Sequence, residues 1–280
     1  IVELLLKNLT DKFIFVSESE RQIGLKFGIA SELKCVLIEN GIYTDNAVYN
    51  DIDRSSVLQF CKRKVTNKSF VVGMLSRFDK IKNIPYAIRT LSSYIKDHDD
   101  VFLVIGGDGE ERREIERTID KYNLRDKVIL LGLIKDIKLF FLTIDVYLNT
   151  SFGEGLSFST MEAMEYGKPV VVSAVRGNTD VVDDNKTGLL FPLNKPSMLV
   201  EKIKTLKNNK ETYDYLSRNA RERIKERFNL NRMLNKTREL YFSFTSGLHK
   251  RVNMRIGINA SKVCDVHTGV GRYTSNLRKF

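Results

Sequence analysis

The chain has 280 residues, 42% hydrophobic and 29% charged, with 46 Lys and Arg against 35 Asp and Glu for a formal net charge of +11. These proportions exclude collagen-like, low-complexity and wholly disordered chains and leave a basic globular protein of one or two domains. Such a chain can bury a core without disulfides or a structural metal, and Cys35, Cys61 and Cys264, odd in number and lacking any C-x-x-C, read as reduced cytosolic thiols.

No apolar run approaches the roughly 18 residues of a membrane span, and the opening Ile-Val-Glu-Leu-Leu-Leu is too short for a signal peptide. Ile1 in place of an initiator Met suggests a chain cut out of a longer one. Short apolar runs at 13–16, 35–38, 70–75, 101–105, 128–131, 146–149, 170–173 and 189–191 read as strands. Several are apolar almost throughout, as strands covered on both faces are. Helix-period stretches separate them at 19–27, 84–96, 110–122, 134–143, 157–166 and 179–184. This alternation predicts an α/β domain built on a doubly wound, Rossmann-like parallel sheet.

Between 196 and 241 strands give way to basic helices bearing Arg218, Arg221, Arg223, Lys225 and Arg227. Two readings stand: a solvated helix face, or a surface meeting anionic lipid or another acidic partner. Interleaved Glu222 and Glu226 and the lack of an aromatic stacking platform argue against nucleic acid. A small polar stretch after Phe242 reads as a linker, and Met254 then opens a short strand, followed by a glycine turn at 267–274 that leads into a helix.

The densest chemistry lies at 151–170, where Ser-Phe-Gly-Glu-Gly-Leu-Ser follows a buried strand and opens a helix. Gly153 and Gly155 permit close backbone approach, and the free N–H groups of the next turn form an anion site at the carboxyl edge of the sheet. Glu154 precedes that turn and Glu162 lies eight positions on, so both carboxylates can face one ligand. Ser159-Thr-Met-Glu162 also matches a capping box, which needs no ligand. A second group, Arg77, Lys80 and Lys82, follows the strand at 70–75. Alone these are ordinary loop cations. Beside an anion site, Arg77 supplies a planar fork for phosphate oxygens and Lys82 a point charge, which together suit a nucleotide-linked substrate. Gly106-Gly-Asp-Gly109 suggests a dinucleotide-binding oxidoreductase, but it lacks the third glycine of that fingerprint and reads as a turn. The pair Asp51 and Asp53, and the scattered His98, His249 and His267, read as bland.

Arg77 with Lys82, the E-x-x-x-x-x-x-x-E pair Glu154 and Glu162, Glu162-Ala-Met-x-x-Gly-x-Pro-Val-Val172 and Lys186-Thr-Gly-Leu-Leu-Phe-Pro192 together resemble glycosyltransferase family 4, the retaining GT-B enzymes. The resemblance runs over roughly 1–244, with Ile38-Glu-Asn-Gly-Ile42 similar to the hinge into a C-terminal, donor-binding domain. It implies a nucleotide-sugar donor, UDP- or GDP-linked, a glycan or lipid-linked acceptor, no cofactor and no metal, and a cytoplasmic position, peripheral at the inner face of a membrane. It assigns Arg77 and Lys82 to the donor diphosphate, the backbone of Gly155 and Leu156 to its cradle, Glu162 to the ribose, Glu154 to the transferred sugar, and Leu133 and Ile134 to the base. Gly153 and Ser157 complete the donor-binding set, and Glu154, Arg77 and Lys82 are the catalytic candidates. Two departures bear on sugar preference: Arg176-Gly-Asn-Thr-Asp180 stands where the family has Gly-Gly-x-x-Glu, and Ser157 replaces a common Pro.

The tail, with Met-Arg-Ile-Gly-Ile-Asn-Ala at 254–260, resembles the first strand and glycine loop of an acceptor-side domain. The expected organisation is the end of an acceptor-side domain and hinge at 1–41, a donor domain at 42–244, a linker at 245–253 and the start of a second, incomplete domain at 254–280. A fragment spanning two tandem glycosyltransferase modules accounts for this order, with a circular permutation and a non-catalytic nucleotide-sugar binding module as the rivals.

Overall fold

The computed structural model describes residues 2–44, 65–245 and 256–258. Asp51, Asp53, Cys61, Cys264, His249, His267 and the glycine turn of the tail lie outside the described residues.

The main body is a six-stranded parallel sheet of β3 (Phe70–Leu75), β4 (Val101–Gly106), β5 (Val128–Gly132), β6 (Val146–Asn149), β7 (Val170–Ser173) and β8 (Leu189–Phe191). Their order is β5-β4-β3-β6-β7-β8, so the expected doubly wound α/β sheet is present. Side chains alternate between two cores with a period of two. Val72, Met74, Leu103, Ile105, Val146 and Leu148 face one core, and Val71, Val104, Tyr147, Val170 and Val172 face the other.

The first core is covered by α3 (Ile84–Lys96), α4 (Arg112–Lys121) and α8 (Pro196–Asn208). In α3, Ile84, Ala87, Ile88, Leu91 and Ile95 recur at helical spacing and are all buried. The second core is covered by α5 (Ile137–Thr143), α6 (Phe158–Glu165) and the single turn α7 (Asn178–Val181). Helix α9 (Lys210–Arg227) contributes to both cores through Leu216 on one side and Ala220 and Ile224 on the other. Helix α5 begins three residues later than the sequence suggests, because Asp136 caps it by accepting the Leu139 N–H at 3.2 Å. Ile134 is thereby left in the preceding loop.

A smaller parallel sheet, ordered β2-β1-β9, holds β1 (Lys12–Phe15), β2 (Cys35–Leu37) and β9 (Ile256–Ile258). The expected strand of the tail thus pairs with β1, Phe13 opposite Gly257. Beside this sheet lie α1 (Val2–Leu6), which the sequence reading passed over, and α2 (Glu18–Lys26), capped by Ser17 accepting the Glu20 N–H at 3.2 Å. Helix α10 (Leu230–Thr245) packs back onto it, placing Met233 and Leu240 against Ile14 and Ile38. The helix extends through Thr245, into the expected linker. Cys35 is a free thiol, and burial pushes its pKa up. His98 is structural: its Nδ1 lies 2.9 Å from the Tyr94 carbonyl and its ring packs on the Tyr94 ring.

The chain passes between the two bodies at Ile42 and again at Asn229, and the two passages run side by side. Ile42 donates its N–H to the Phe228 carbonyl and accepts the Leu230 N–H, each at 2.8 Å. Glu39, 7% exposed, pairs with Arg227 at 2.7 Å. A Cβ at Gly41 would sit 2.4 Å from the Asn229 carbonyl oxygen. Gly41→Ala is therefore expected to lower the unfolding free energy by about 1–3 kcal/mol, read as a lower urea midpoint.

Candidate functional site

Strands β3 and β6 are hydrogen-bonded neighbours, yet their following connections lead to opposite halves of the sheet. At this reversal the loops beyond the carboxyl ends part and leave a crevice. Leu75, Ser76, Lys82, Asn149, Ser151 and Ser159 line it.

The loop after β3 carries Arg77 and Lys82. Asp79 shapes it by accepting the Lys82 N–H at 3.2 Å through Oδ1 and lying 3.3 Å from Arg77 Nε through Oδ2. The glycines at 106–109 brace it from beneath. Gly107 has φ +130 and Gly109 φ +156, and added Cβ atoms would lie 1.8 Å from the Ser76 carbonyl oxygen and 2.4 Å from that of Phe78. The Phe78 N–H bonds the Asp108 carbonyl at 2.9 Å. This is a packing turn that positions Arg77, in keeping with the turn reading of that stretch.

The loop after β6 carries Gly153, Glu154, Gly155 and Leu156. Hydrogen bonds stitch it to the first loop: Thr150 Oγ1 bonds the Lys82 and Asn83 carbonyls, each at 3.1 Å, and the Phe152 N–H bonds the Ile81 carbonyl at 2.8 Å. From β7, Ser173 Oγ donates to the Ser151 carbonyl at 2.7 Å.

Lys82 and Glu154 meet across the crevice. The Lys82 ammonium contacts Oε1 at 2.7 Å and Oε2 at 2.8 Å, while Asn149 Nδ2 at 3.2 Å and Ser151 Oγ at 2.6 Å also donate to Oε1. Among the described residues Oε2 meets Lys82 alone, which leaves it acceptor capacity for a ligand hydroxyl. The Glu154 side chain is 9% exposed and Lys82 24%, whereas Arg77 is 43% exposed. Glu154 is therefore fixed from several sides, and Arg77 remains accessible to an anion.

Glu162 lies buried within α6. The capping box expected at Ser159 does not form. Ser157 is the N-cap, its Oγ accepting the Thr160 N–H at 3.4 Å, so Ser159 and Glu162 fall inside the helix. Ser157 itself is buried, as is Leu156. Beneath both glutamates lies the fully buried Tyr147, whose hydroxyl donates to the Leu75 carbonyl at 3.3 Å. Burial holds this phenol neutral far above its ordinary range, and the charges of Glu154 and Glu162 raise it further. The two carboxylates therefore act on one point under the crevice. Leu133, 71% exposed, and Ile134 follow β5 at the same sheet edge.

Comparison with known sequences now adds a decisive observation: the profile of the family described as Glycosyl transferases group 1 matches residues 59–223. The chain belongs to this family. It is 26% identical over 246 residues to the UDP-Gal:α-D-GlcNAc-diphosphoundecaprenol α-1,3-galactosyltransferase of Escherichia coli, covering 86% of this chain and 62% of that protein. The poly(ribitol-phosphate) α-N-acetylglucosaminyltransferase of Staphylococcus aureus strain COL is 29% identical over 174 residues, 62% of this chain and 35% of that protein. The chain thus spans less than two thirds of the length of these curated relatives. Among solved structures, Anabaena HepE in complex with UDP and glucose superposes with a TM-score of 0.75 at 21% identity, over 86% of this chain and 65% of that chain. A Staphylococcus aureus TarM variant in complex with fondaparinux, α-GlcNAc-glycerol and UDP gives 0.72 at 25% identity, over 84% and 45%. The parallel α/β sheet accordingly matches GT-B glycosyltransferase structures.

In this group 1 glycosyl transferase chain, the residues singled out in sequence gather at one sheet edge. Sequence reasoning missed the groups that hold them: Asp79, Asn149, Ser151 and Tyr147. Asn149-Thr-Ser151 immediately before the glycine loop was the available signal. A larger cavity lies elsewhere, between α4 and β5, but its Arg112, Arg117 and Arg125 are engaged by Glu116, Glu114 and Asp120. Gly177, at φ +82, holds the Glu154 loop from the other side, since a Cβ there would lie 2.4 Å from the Glu154 carbonyl oxygen. Gly177→Ala is expected to cost about 1–3 kcal/mol of stability and to displace Glu154, read as a lower melting temperature together with altered contacts in a crystal structure.

Proposed function

We propose that this chain forms the donor-binding part of a retaining, family 4 type hexosyltransferase that takes a UDP- or GDP-linked sugar. The observation that carries the proposal is the meeting of Lys82 and Glu154 at the sheet reversal, with Arg77 exposed beside them. Arg77 and Lys82 neutralise the donor diphosphate as the bond from its terminal oxygen to the sugar carbon breaks, the acceptor hydroxyl oxygen bonds that carbon and the hydroxyl proton passes to the departing diphosphate oxygen. The backbone of Gly155 and Leu156, opened by Gly153 and followed by the cap Ser157, cradles the phosphates. Glu162 takes the ribose, Glu154 Oε2 a hydroxyl of the transferred sugar, and Leu133 with Ile134 the face of the base. Cations and backbone dipoles aimed at the developing charge make a metal unnecessary.

The acceptor is a glycan or lipid-linked glycan, a proposal supported by the names of the Escherichia coli and Staphylococcus aureus relatives. The basic helices α9 and α10 provide a contact with anionic lipid at the cytoplasmic face of a membrane; no helix of the described residues is long and apolar enough to cross one. The chain binds donor but transfers sugar weakly or not at all by itself. A single composite acceptor-side body, as in a circular permutation, is the second reading, favoured by the pairing of β9 with β1. Removal of residues 246–280 would then lower hydrogen-exchange protection in β1 on its β9 side while the pairing with β2 persists, and under the tandem reading would leave it unchanged.

Calorimetric titration with UDP and GDP tests the main proposal. One nucleotide is expected to bind equally with EDTA or magnesium present, and Arg77→Ala and Glu162→Ala to weaken it about 10–100 fold, the loss of roughly 1.5–3 kcal/mol of charge-assisted hydrogen bonding. Binding of neither nucleotide would overturn it.

A further inference from the structure

The acceptor-side body reaches the site through the first turn of α2. The Ser19 N–H donates to Asp180 Oδ1 at 3.1 Å, and the other oxygen of Asp180 accepts the Gly177 N–H at the same distance. Gly177 packs on the backbone of Glu154, whose N–H donates to the Arg176 carbonyl at 3.0 Å. One carboxylate thus ties α2 to the loop that presents Glu154. Asp180 and Arg176 both belong to the stretch in which the sequence departs from the Gly-Gly-x-x-Glu pattern.

This tie places Glu20 opposite Gly155, with Oε1 3.1 Å from where a Cβ on that glycine would stand. Burial raises the pKa of Glu20, Arg176 draws it down, Asp180 adds to the rise, and the Val16 backbone N–H draws it down. Its helix neighbours Glu18 and Arg21 are paired with each other at 2.9 Å, and Arg21 also reaches Glu32 at 2.8 Å. Glu20 therefore presents a carboxylate to the glycine loop at Gly155, the residue that follows Glu154 in the chain. A phosphate cradled by the Gly155 and Leu156 backbone keeps to the side of the loop away from Glu20, whereas a sugar hydroxyl on the Glu20 side donates a hydrogen bond to its carboxylate.

Resting on the nucleotide-sugar reading above, we infer that Glu20 is a specificity-determining residue that accepts a hydroxyl of the transferred sugar, with Asp180 as the positioning residue that holds it there. The nucleotide half of the ligand lies on the Arg77 and Glu162 side, so the inference separates the two halves of one molecule.

The test is calorimetry on the full chain with UDP, UDP-glucose, UDP-galactose and UDP-N-acetylglucosamine, or with GDP and GDP-mannose if GDP is the nucleotide bound. Glu20→Gln is expected to leave nucleotide affinity within twofold and to weaken the best nucleotide sugar about tenfold. Glu20→Asp should recover part of that loss, and Asp180→Asn should weaken the sugar nucleotide while sparing the bare nucleotide. Equal changes for nucleotide and nucleotide sugar, or none in either, would overturn the inference with the donor-site reading intact. A wild-type chain that binds neither nucleotide would overturn both.

Discussion

Strands β3 and β6 lie side by side in one hydrogen-bonded sheet while their connections depart to opposite flanks, and the site depends on that divergence. Wherever a doubly wound sheet reverses, the two loops at the carboxyl edge cannot cover the gap between them. Lys82 enters this gap from one loop and Glu154 from the other, 72 residues apart in the chain and 2.7 Å apart in space. The surrounding features serve that meeting. Glycines 107 and 109 let the Arg77 loop settle onto the end of β4, Asp79 turns it, and Thr150 and Phe152 fasten the second loop to the first.

The paired charges are better understood as positioning devices than as sources of stability. Removing a carboxylate and an ammonium from water costs about as much as their attraction returns, so a largely buried pair adds little net stability. It does impose geometry. Glu154 accepts from Lys82, Asn149 and Ser151 and has little freedom to swing toward solvent. Glu39 with Arg227 does the same at the passage between the two bodies, where the backbones at Ile42 and Asn229 run in contact. Asp180 makes a third such tie, and its two oxygens engage helix N-termini on either side of the cleft. The relative placement of α2 and the glycine loop is thus set by these polar contacts together with the apolar packing of Val16 and Phe158 between the two bodies.

Much of the architecture was legible beforehand. Six apolar runs bounded by Gly, Asp or Asn became the six strands of the main sheet, because strands covered on both faces must be apolar throughout. Helix α3 was readable to the residue, since its buried stripe and Pro85 mark it clearly. The site was legible in part: Arg77, Lys82, Glu154 and Glu162 stand out because few structural needs place cations and acids beside glycines at strand ends. The start of α6 was read to within one residue, at 157, whereas the capping box matched at Ser159 does not form, because Ser157 and Ser159 are equally good caps in one dimension and only the path of the glycine loop selects Ser157. Helix α1 was too short to show a period.

The sequence alone determined the fold class, the order of the elements and the chemical kinds of group at the carboxyl edge, because periodicity and local turn chemistry are properties of adjacent residues. It could not determine which groups meet. Whether Glu154 faces Lys82, whether Asp180 caps one helix or two, and whether Glu20 turns toward Gly155 or solvent depend on contacts between positions as many as 161 residues apart. Those contacts follow from the order of strands in the sheet and the return of α10 to the smaller body, and tertiary packing decides both.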